Sequence, residues 1–208
     1  MMAYLVLVRH GQSEWNALGL WTGQEDVALT EQGRAEARAA AEHLRDITLH
    51  KAYASGLSRA QQTLEEIKSA LSHTELETTH HDALNERHYG DYQAKNKWEI
   101  KDTIGEEEFT KLRRTWDHPV PNGETLKDVH ARVLPYYQET ILEDLKEGKN
   151  VIVAAHGNTL RALMKDLDEV DDDHVHELEI GTGEVVMYEI NEDGSVGNKQ
   201  VLNQGGKA

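Results

Sequence analysis

The 208-residue sequence contains no cysteine. This absence excludes disulfide bonds, thiolate metal sites and a cysteine nucleophile, and it fits a reducing compartment. The sequence also lacks any run of about 18 apolar residues, which a membrane-spanning helix would need. Its first residues have neither the basic region nor the cleavage pattern of a secretory signal. We therefore expect a cytoplasmic protein that has no membrane partner.

Basic residues are scarce, with 22 Lys and Arg against 38 Asp and Glu, and the formal net charge is −16. Such a charge argues against non-specific binding to nucleic acid or to anionic lipid. A small anionic ligand would need a local cluster of basic side chains within this repulsive field. The length predicts one domain over residues 1–203, followed by a frayed tail at 204–208.

The hydrophobic pattern predicts an α/β fold. Short apolar runs predict strands at 3–8, 51–55, 76–79, 151–155 and 185–190. Helical spacing predicts helices at 30–45, 58–71, 106–116, 126–145 and 159–167. Pro135 should kink the fourth of these helices. The alternation of strands and helices predicts a three-layer sandwich with a mostly parallel central sheet flanked by helices.

Two of the predicted strands end in the same way. The run LVLV at 5–8 is followed by Arg9, His10 and Gly11, and the run VIVAA at 151–155 is followed by His156 and Gly157. In open α/β sheets, ligands bind at the carboxyl ends of the strands. Glycine after each histidine lets the chain turn tightly and approach a ligand closely. The two endings therefore predict a ligand site.

Two further charged residues follow predicted strands: Arg59 opens the helix after KAYAS, and Glu86 follows the strand at 76–79. Together with Arg9, His10 and His156 they suit phosphoryl transfer without a metal. A neutral histidine can attack phosphorus, arginines can stabilise the equatorial oxygens, and a carboxylic acid can protonate the leaving oxygen. A single Arg-His pair is more often a loop cation beside a structural histidine, but the convergence of several loops favours a site.

A metal site is the alternative for the remaining histidines. The pair His80-His81 and the segment DDDHVH at 171–176 contain residue types that bind metals. However, adjacent residues on a strand point to opposite faces, and acidic residues are common at the start of a helix. We therefore expect no metal ion in this protein.

Several segments together resemble a known family. They are LVLVRHGQSEWN at 5–16, WTG at 21–23, LTEQG at 29–33, SGLSRAQQT at 55–63, LNERHYG at 84–90, NK at 96–97, RR at 113–114 and AAHGNTLRAL at 154–163. These segments are similar to those of the histidine phosphatase superfamily and, within it, of the cofactor-dependent phosphoglycerate mutases. The RHG signature indicates only the superfamily. ERHYG with the downstream NK and RR is more specific, because phosphatase relatives usually lack that set.

The resemblance implies interconversion of 3-phosphoglycerate and 2-phosphoglycerate through a phosphohistidine, primed by 2,3-bisphosphoglycerate, without metal. It implies that His10 is the nucleophile, Glu86 the general acid and base, and His156 a transition-state stabiliser, with Arg9 and Arg59 holding the phosphoryl group. The implied substrate-binding set is Ser13, Asn16, Thr22, Gly23, Arg87, Tyr89, Lys97, Arg113, Arg114, Gly157 and Asn158. The expected partners are small phosphoglycerates and not nucleic acid, and a homo-oligomer is left open.

The sequence departs from the family pattern at a few positions. Gln24 stands where an aromatic residue is usual, Ala94 replaces a glycine, and Gly181 replaces a proline in the turn IGTG. The stretch between Arg114 and GETL at 123–126 is also short.

Two other functions stay open, namely a phosphomonoesterase of the same superfamily and a catalytically silent phosphoanion-binding module. Lys97, Arg113 and Arg114 distinguish the mutase from the phosphatase, because a phosphatase does not need a second cationic set far from His10.

Overall fold

The computed structural model describes residues 2–206, which form an α/β fold around a six-stranded sheet. The strands are β1 (Ala3–Arg9), β2 (Lys51–Ala54), β3 (Thr78–His80), β4 (Val151–Ala155), β5 (Val185–Ile190) and β6 (Val196–Val201). Their order in the sheet is β3-β2-β4-β1-β5-β6. The first four are parallel, and β5 runs antiparallel to both β1 and β6. The prediction of a mostly parallel central sheet is confirmed, whereas β6 was not predicted.

The helices follow the predicted order with two additions. They are α1 (Glu14–Ala17), α2 (Glu31–Glu42), α3 (Ser58–Ala70), α4 (Lys97–Ile104), α5 (Glu106–Arg114), α6 (Leu126–Tyr136), α7 (Leu142–Lys146) and α8 (Gly157–Leu167). A π-helical turn joins α6 to α7, so the predicted long helix with Pro135 inside it is confirmed. The additions are α1 and α4. Between residues 2 and 206, no helix is long and apolar enough to cross a bilayer.

The sheet has a hydrophobic layer on each face, since alternate residues of a strand point to opposite sides. Leu5 and Leu7 of β1 pack in one cluster with residues of α6, α7 and α8. Val6 and Val8 pack in a second cluster with residues of α2 and α3. The arrangement is the predicted three-layer sandwich. It leaves the carboxyl ends of β1 and β4 side by side, because Arg9 is in register with Ala155.

A smaller cluster fixes α5 beside this edge of the sheet. Phe109 and Leu112 of α5 pack with Trp21, Tyr89 and Val120. Basic residues stand in the last turn of α5, where the helix dipole favours positive charge. The cluster therefore holds the end of α5, which carries a pair of arginines, close to the carboxyl ends of the strands.

The chain after β6 returns toward the same edge. Gly206 and Thr182 exchange two backbone hydrogen bonds of 3.0 and 2.8 Å. Residues 204–206 were predicted to belong to a frayed tail, but here they line a cavity. The rest of that predicted tail, Lys207 and Ala208, lies outside the described residues, and the single domain over 1–203 stays a prediction.

Candidate active site

A cavity of about 560 Å³ opens at the carboxyl ends of β1 and β4. Its basic lining residues are Arg9, Arg59, Lys97, Arg113, Arg114 and Arg161. Its carboxylates are Glu86, Glu179 and Glu184. Six cations against three carboxylates make this cavity a basic site within a chain of net charge −16. Such a site suits an anionic ligand.

The two predicted histidines meet at this edge. His10 and His156 are the residues that follow β1 and β4, and their ring centroids are 4.9 Å apart. The backbone N–H of His10 donates to Ala155 O at 3.0 Å, which extends the β1–β4 pairing by one step. The next residue must be glycine, because a Cβ on Gly11 would lie 2.1 Å from Gly33 O. The parallel register of two buried strands therefore creates the histidine pair.

The ring of His10 is oriented by its own backbone. His10 Nδ1 lies 2.7 Å from Gly11 O, and because a carbonyl can only accept, Nδ1 carries the proton. The other nitrogen, Nε2, therefore keeps its lone pair. Burial, followed by the charges of Arg59 and Arg9, holds the pKa of His10 well below the ordinary value of 6.5. His10 is thus a neutral imidazole at pH 7, the form that can act as a nucleophile.

His156 lies directly behind His10 and is fully buried. Its Nε2 is 2.7 Å from Ser55 Oγ, at the end of β2. Its Nδ1 is buried and makes no hydrogen bond within residues 2–206. Burial, followed by the charges of Arg59, His10 and Arg9, lowers the pKa of His156 well below its ordinary value. A buried donor or acceptor without a partner is costly, so Nδ1 is suited to contact a ligand atom.

Two arginines lie near the histidines, namely Arg59, which is buried, and Arg9, which is partly exposed. Arg59 donates to Gly23 O at 2.7 Å and to Glu25 O at 2.8 Å. Burial lowers its pKa to about 10, so it remains cationic at neutral pH. Arg9 donates to Ile180 O at 2.7 Å, and its Nε is buried without a partner in the described chain. These guanidinium groups are placed to stabilise charge on a phosphoryl group beside His10.

Glu86 supplies a carboxylate at the start of α8. Its Oε1 accepts from the backbone N–H of Arg87 at 2.8 Å and of Asn158 at 3.2 Å. Asn158 is the second residue of α8, where backbone N–H groups lack helical partners and the dipole favours negative charge. Both bonds use the same oxygen. Oε2 accepts neither, which leaves it to exchange a proton with a ligand.

The loop that carries Glu86 is held by two residues that were not predicted. Arg132 of α6 donates to three carbonyl oxygens of this loop, those of Ala83, Asn85 and Glu86, at 2.8 to 3.0 Å. Gln24 Nε2 also donates to Glu86 O, at 3.0 Å. Gln24 thus uses the position where the family usually has an aromatic residue to support the Glu86 backbone.

The second cationic set comes from α4 and the end of α5, and not from the strand ends that carry the two histidines. Lys97 is the first residue of α4, and Arg113 and Arg114 are the last two of α5. The Arg113 guanidinium stacks on the Phe109 ring, 5.3 Å from its centroid. Burial, followed by the charges of Arg113 and Arg9, lowers the pKa of Lys97 to about 8. The site therefore has cations from two separate parts of the fold.

Most residues of the predicted site line this cavity. They are Arg9, His10, Asn16, Thr22, Gly23, Arg59, Glu86, Tyr89, Lys97, Arg113, Arg114, Gly157 and Asn158. His156 lies behind the lining. Ser13 and Arg87 are not among the lining residues. Ser13 is the N-cap of α1 and accepts from the Asn16 N–H, whereas Arg87 donates to Leu112 O at 2.6 Å and stacks on Tyr89.

Arg161 lines the cavity but was not predicted as a site residue. It donates to Arg113 O at 3.2 Å, to Arg114 O at 3.1 Å and to Asn158 Oδ1 at 3.3 Å. It therefore links α8 to the end of α5. The sequence feature that could have identified Arg161 is its position in the segment AAHGNTLRAL, five residues after His156.

The segments weighed as metal ligands have other contacts. His81 Nδ1 accepts from Ala83 N–H, and its ring stacks on Tyr136 at 4.0 Å. Asp172 and Asp173 stand in the first turn of a short 3₁₀ helix, and Asp172 pairs with Lys165. Within residues 2–206, no group of three or more His, Asp or Glu side chains is arranged to hold a metal ion. The expectation that no metal is used stays a prediction.

The chain is similar to a protein family, to curated relatives and to solved structures. Residues 5–202 match the model of the histidine phosphatase superfamily (branch 1). The 2,3-bisphosphoglycerate-dependent phosphoglycerate mutases of Mesorhizobium japonicum and Brucella anthropi are 48% and 47% identical to the chain, each over 97% of it and 99% of the relative. The solved structure of mycobacterial glucosyl-3-phosphoglycerate phosphatase with VO3 is similar at a TM-score of 0.82 and 26% identity, covering 98% of this chain and 99% of that one.

Proposed function

The chain belongs to the histidine phosphatase superfamily, and on that basis we propose that it is a phosphoglycerate mutase that depends on 2,3-bisphosphoglycerate and acts in the cytoplasm. The observation that carries this proposal is the presence of two cationic sets in one cavity. Arg9 and Arg59 are close enough to His10 for their charges to lower its pKa, and Lys97, Arg113 and Arg114 line the same cavity from α4 and the end of α5. A phosphoglycerate has an anionic group at each end, and one cationic set would bind each of them.

The proposed reaction uses His10 and Glu86 in turn. Phosphorylated His10 passes its phosphoryl group to the 2-hydroxyl of 3-phosphoglycerate while Glu86 takes the hydroxyl proton. His10 Nε2 then attacks phosphorus at the 3-position, the P–O bond breaks, and Glu86 returns the proton to the departing O3. Arg9, Arg59 and His156 stabilise the charge on the equatorial oxygens in both transfers. One phosphoryl group enters and one leaves, so 2-phosphoglycerate and the phosphorylated enzyme result.

The residues present fit 2,3-bisphosphoglycerate. When bound, it supplies the phosphoryl group that primes His10. Arg9 Nε, Thr22 Oγ1 and His156 Nδ1 are all buried polar atoms without a partner in the described chain, and such atoms are expected where a ligand completes the hydrogen bonding. The two cationic sets that line the cavity would hold the two phosphate groups, in either orientation.

A phosphomonoesterase of the same superfamily is the second candidate, because a solved structure of similar fold is a phosphatase. In that case water would take the phosphoryl group from His10.

An enolase-coupled assay with 3-phosphoglycerate distinguishes the mutase from the phosphatase. It is run with and without 2,3-bisphosphoglycerate and with a chelator, and free phosphate is monitored. Activity that depends on the bisphosphate and resists the chelator supports the mutase. Dominant release of phosphate supports the phosphatase, and loss of activity to the chelator would revive a metal site.

Replacing His156 by alanine should lower kcat by about 10²- to 10³-fold, the usual effect of removing one transition-state donor. His156 is buried against His10 and has an unpartnered Nδ1, so its removal takes one contact from the transferring group. The measurement is steady-state kinetics in the coupled assay. A change of less than threefold would mean that His156 is not such a donor. Exposed His43 provides the control, since His43→Ala removes an imidazole far from the cavity lining.

The KM for 3-phosphoglycerate should rise above pH 8. Lys97 has a lowered pKa of about 8 in the free protein, so its charge is present below pH 8 and lost above it. Between pH 8 and 9 the rise should reach at most about fivefold, because the protonated fraction of a group with a pKa of about 8 falls from about one half to about one tenth. The substrate phosphate does not contribute, because its second pKa is near 6. In the Lys97→Arg variant the charge persists and KM should stay flat; the same rise in that variant would refute the assignment.

A further inference from the structure

One carboxylate of the cavity wall is paired with a cation of the second set. Glu179 lines the cavity and forms an ion pair with Arg114. The side chain of Arg114 is 29% exposed and that of Glu179 is 66% exposed. Arg114 is therefore occupied by an anion that belongs to the chain itself, whereas Arg113 beside it stacks on an aromatic ring.

The backbone around Glu179 is held by hydrogen bonds, whereas its side chain is mostly exposed. Ile180 O accepts from Arg9 at 2.7 Å, and Gly181 N–H donates to Glu184 Oε2 at 2.8 Å. These bonds hold the segment 179–181 against the cavity without using the Glu179 side chain. Because that side chain is mostly exposed, its carboxylate can leave Arg114 for water while the segment keeps its position.

We propose that Glu179 is a specificity-determining residue that competes with the substrate for Arg114. It occupies the guanidinium group when the cavity is empty, and the anionic group of a phosphoglycerate remote from His10 must displace it. This inference rests on the proposed function, because that function assigns Arg114 to substrate binding. Glu179 therefore weakens the binding of some ligands and not of others. Ligands that reach Arg114 must give up part of their binding free energy to displace Glu179, and oxyanions that bind only beside His10 do not.

The size of the effect follows from the exposure of the pair. Partly exposed ion pairs stabilise a structure weakly, and breaking one changes an equilibrium by about two- to fivefold. Replacing Glu179 by glutamine keeps the shape of the side chain and removes its charge. Glu179→Gln should therefore lower the KM for 3-phosphoglycerate by about two- to fivefold. The inhibition constant of vanadate, which mimics the phosphoryl group beside His10, should change by less than 1.5-fold.

The control variant is Glu177→Gln. It makes the same change in net charge two residues away, on an exposed side chain that does not line the cavity. Its KM and its vanadate inhibition should equal those of the wild type. An unchanged or raised KM in Glu179→Gln would overturn the inference. An equal change in the inhibition constant of vanadate and in the KM for 3-phosphoglycerate would also overturn the inference. Such a result would mean that the charge of Glu179 acts on every anion in the cavity.

A double-mutant cycle tests the partner directly. Arg114→Met removes the cation for which Glu179 and the substrate compete, so adding Glu179→Gln to that variant should change KM by less than 1.5-fold. If Glu179→Gln still lowers KM by two- to fivefold in the Arg114→Met variant, the proposed competition is refuted.

A failure of the proposed mutase function can be distinguished from a failure of the inference about Glu179. If the wild type does not turn over 3-phosphoglycerate, the mutase proposal fails, and competition is then measured by calorimetric titration of 3-phosphoglycerate into the wild type and Glu179→Gln. A lower Kd in the variant supports the inference, and an unchanged or higher one refutes it.

Discussion

Replacing His10 by alanine should abolish phosphoryl transfer, with mutase activity reduced by about 10⁴-fold or more. The expected size is large because, in the proposed reaction, His10 Nε2 forms the covalent bond to phosphorus. The hydrogen bond from Nδ1 to Gly11 O places the proton on the other nitrogen, and burial keeps the imidazole neutral by lowering its pKa. The other histidine of the pair differs, because His156 Nε2 lies 2.7 Å from Ser55 Oγ and has a side-chain partner.

The measurement is 32P-labelling of the protein from labelled 2,3-bisphosphoglycerate, followed by the coupled assay. The wild type should retain the label, and His10→Ala should show none. His174→Ala is the matched control, since it removes an exposed imidazole that does not line the cavity, and it should label like the wild type. Circular dichroism and the Tm of each variant check that it is folded. Labelling that persists in folded His10→Ala would place the nucleophile elsewhere.

The parts of this site that could be predicted from the sequence lie at the ends of buried strands. The runs before Arg9 and before His156 are continuously apolar, which is typical of strands covered on both faces. Parallel pairing then brings the residues that follow each strand to one edge. The convergence of His10, His156 and Arg59 thus follows from pattern and topology.

The supporting contacts could not be predicted, because they join residues far apart in the chain. Arg132 reaches the Glu86 loop from 46 to 49 positions away, and Arg161 reaches the end of α5 across 47 and 48 positions. Their guanidinium groups bind backbone carbonyls, and backbone acceptors leave no trace in side-chain patterns. Gln24 is a similar case, since its amide replaces an aromatic residue and binds another backbone oxygen.

Local geometry explains two other differences. Arg87 follows Glu86 directly, and its guanidinium is buried against Leu112 O whereas the Glu86 carboxylate lines the cavity.

Ala94 adopts φ of 64°, a left-handed conformation. In this conformation a residue with a Cβ pays about 1 to 2 kcal/mol, which accounts for the glycine that the family usually has there. The strain is tolerated because Ala94 N–H donates to Trp21 O at 2.9 Å, in the wall of the cavity.

Replacing Glu86 by glutamine should lower mutase activity by about 10²- to 10⁴-fold, the range for loss of a general acid and base. The amide is close in shape to the carboxylate, and its oxygen can still accept from Arg87 N–H and Asn158 N–H. The fold and the start of α8 should therefore be preserved, and the KM for 3-phosphoglycerate should change by less than about threefold. What is lost is the exchange of a proton with the oxygen that leaves or attacks phosphorus.

A substrate with a good leaving group separates proton transfer from a structural effect. Dephosphorylation of p-nitrophenyl phosphate needs little protonation of the leaving oxygen, so formation of phospho-His10 from it should fall by less than about tenfold in Glu86→Gln. Transfer from 2,3-bisphosphoglycerate, whose leaving oxygen is an alkoxide, should fall by the full 10²- to 10⁴-fold. Rapid-quench measurement of the phosphorylated protein gives both rates. Equal losses for the two donors would mean that Glu86 acts by holding Asn158 and α8 in place, and not as the acid.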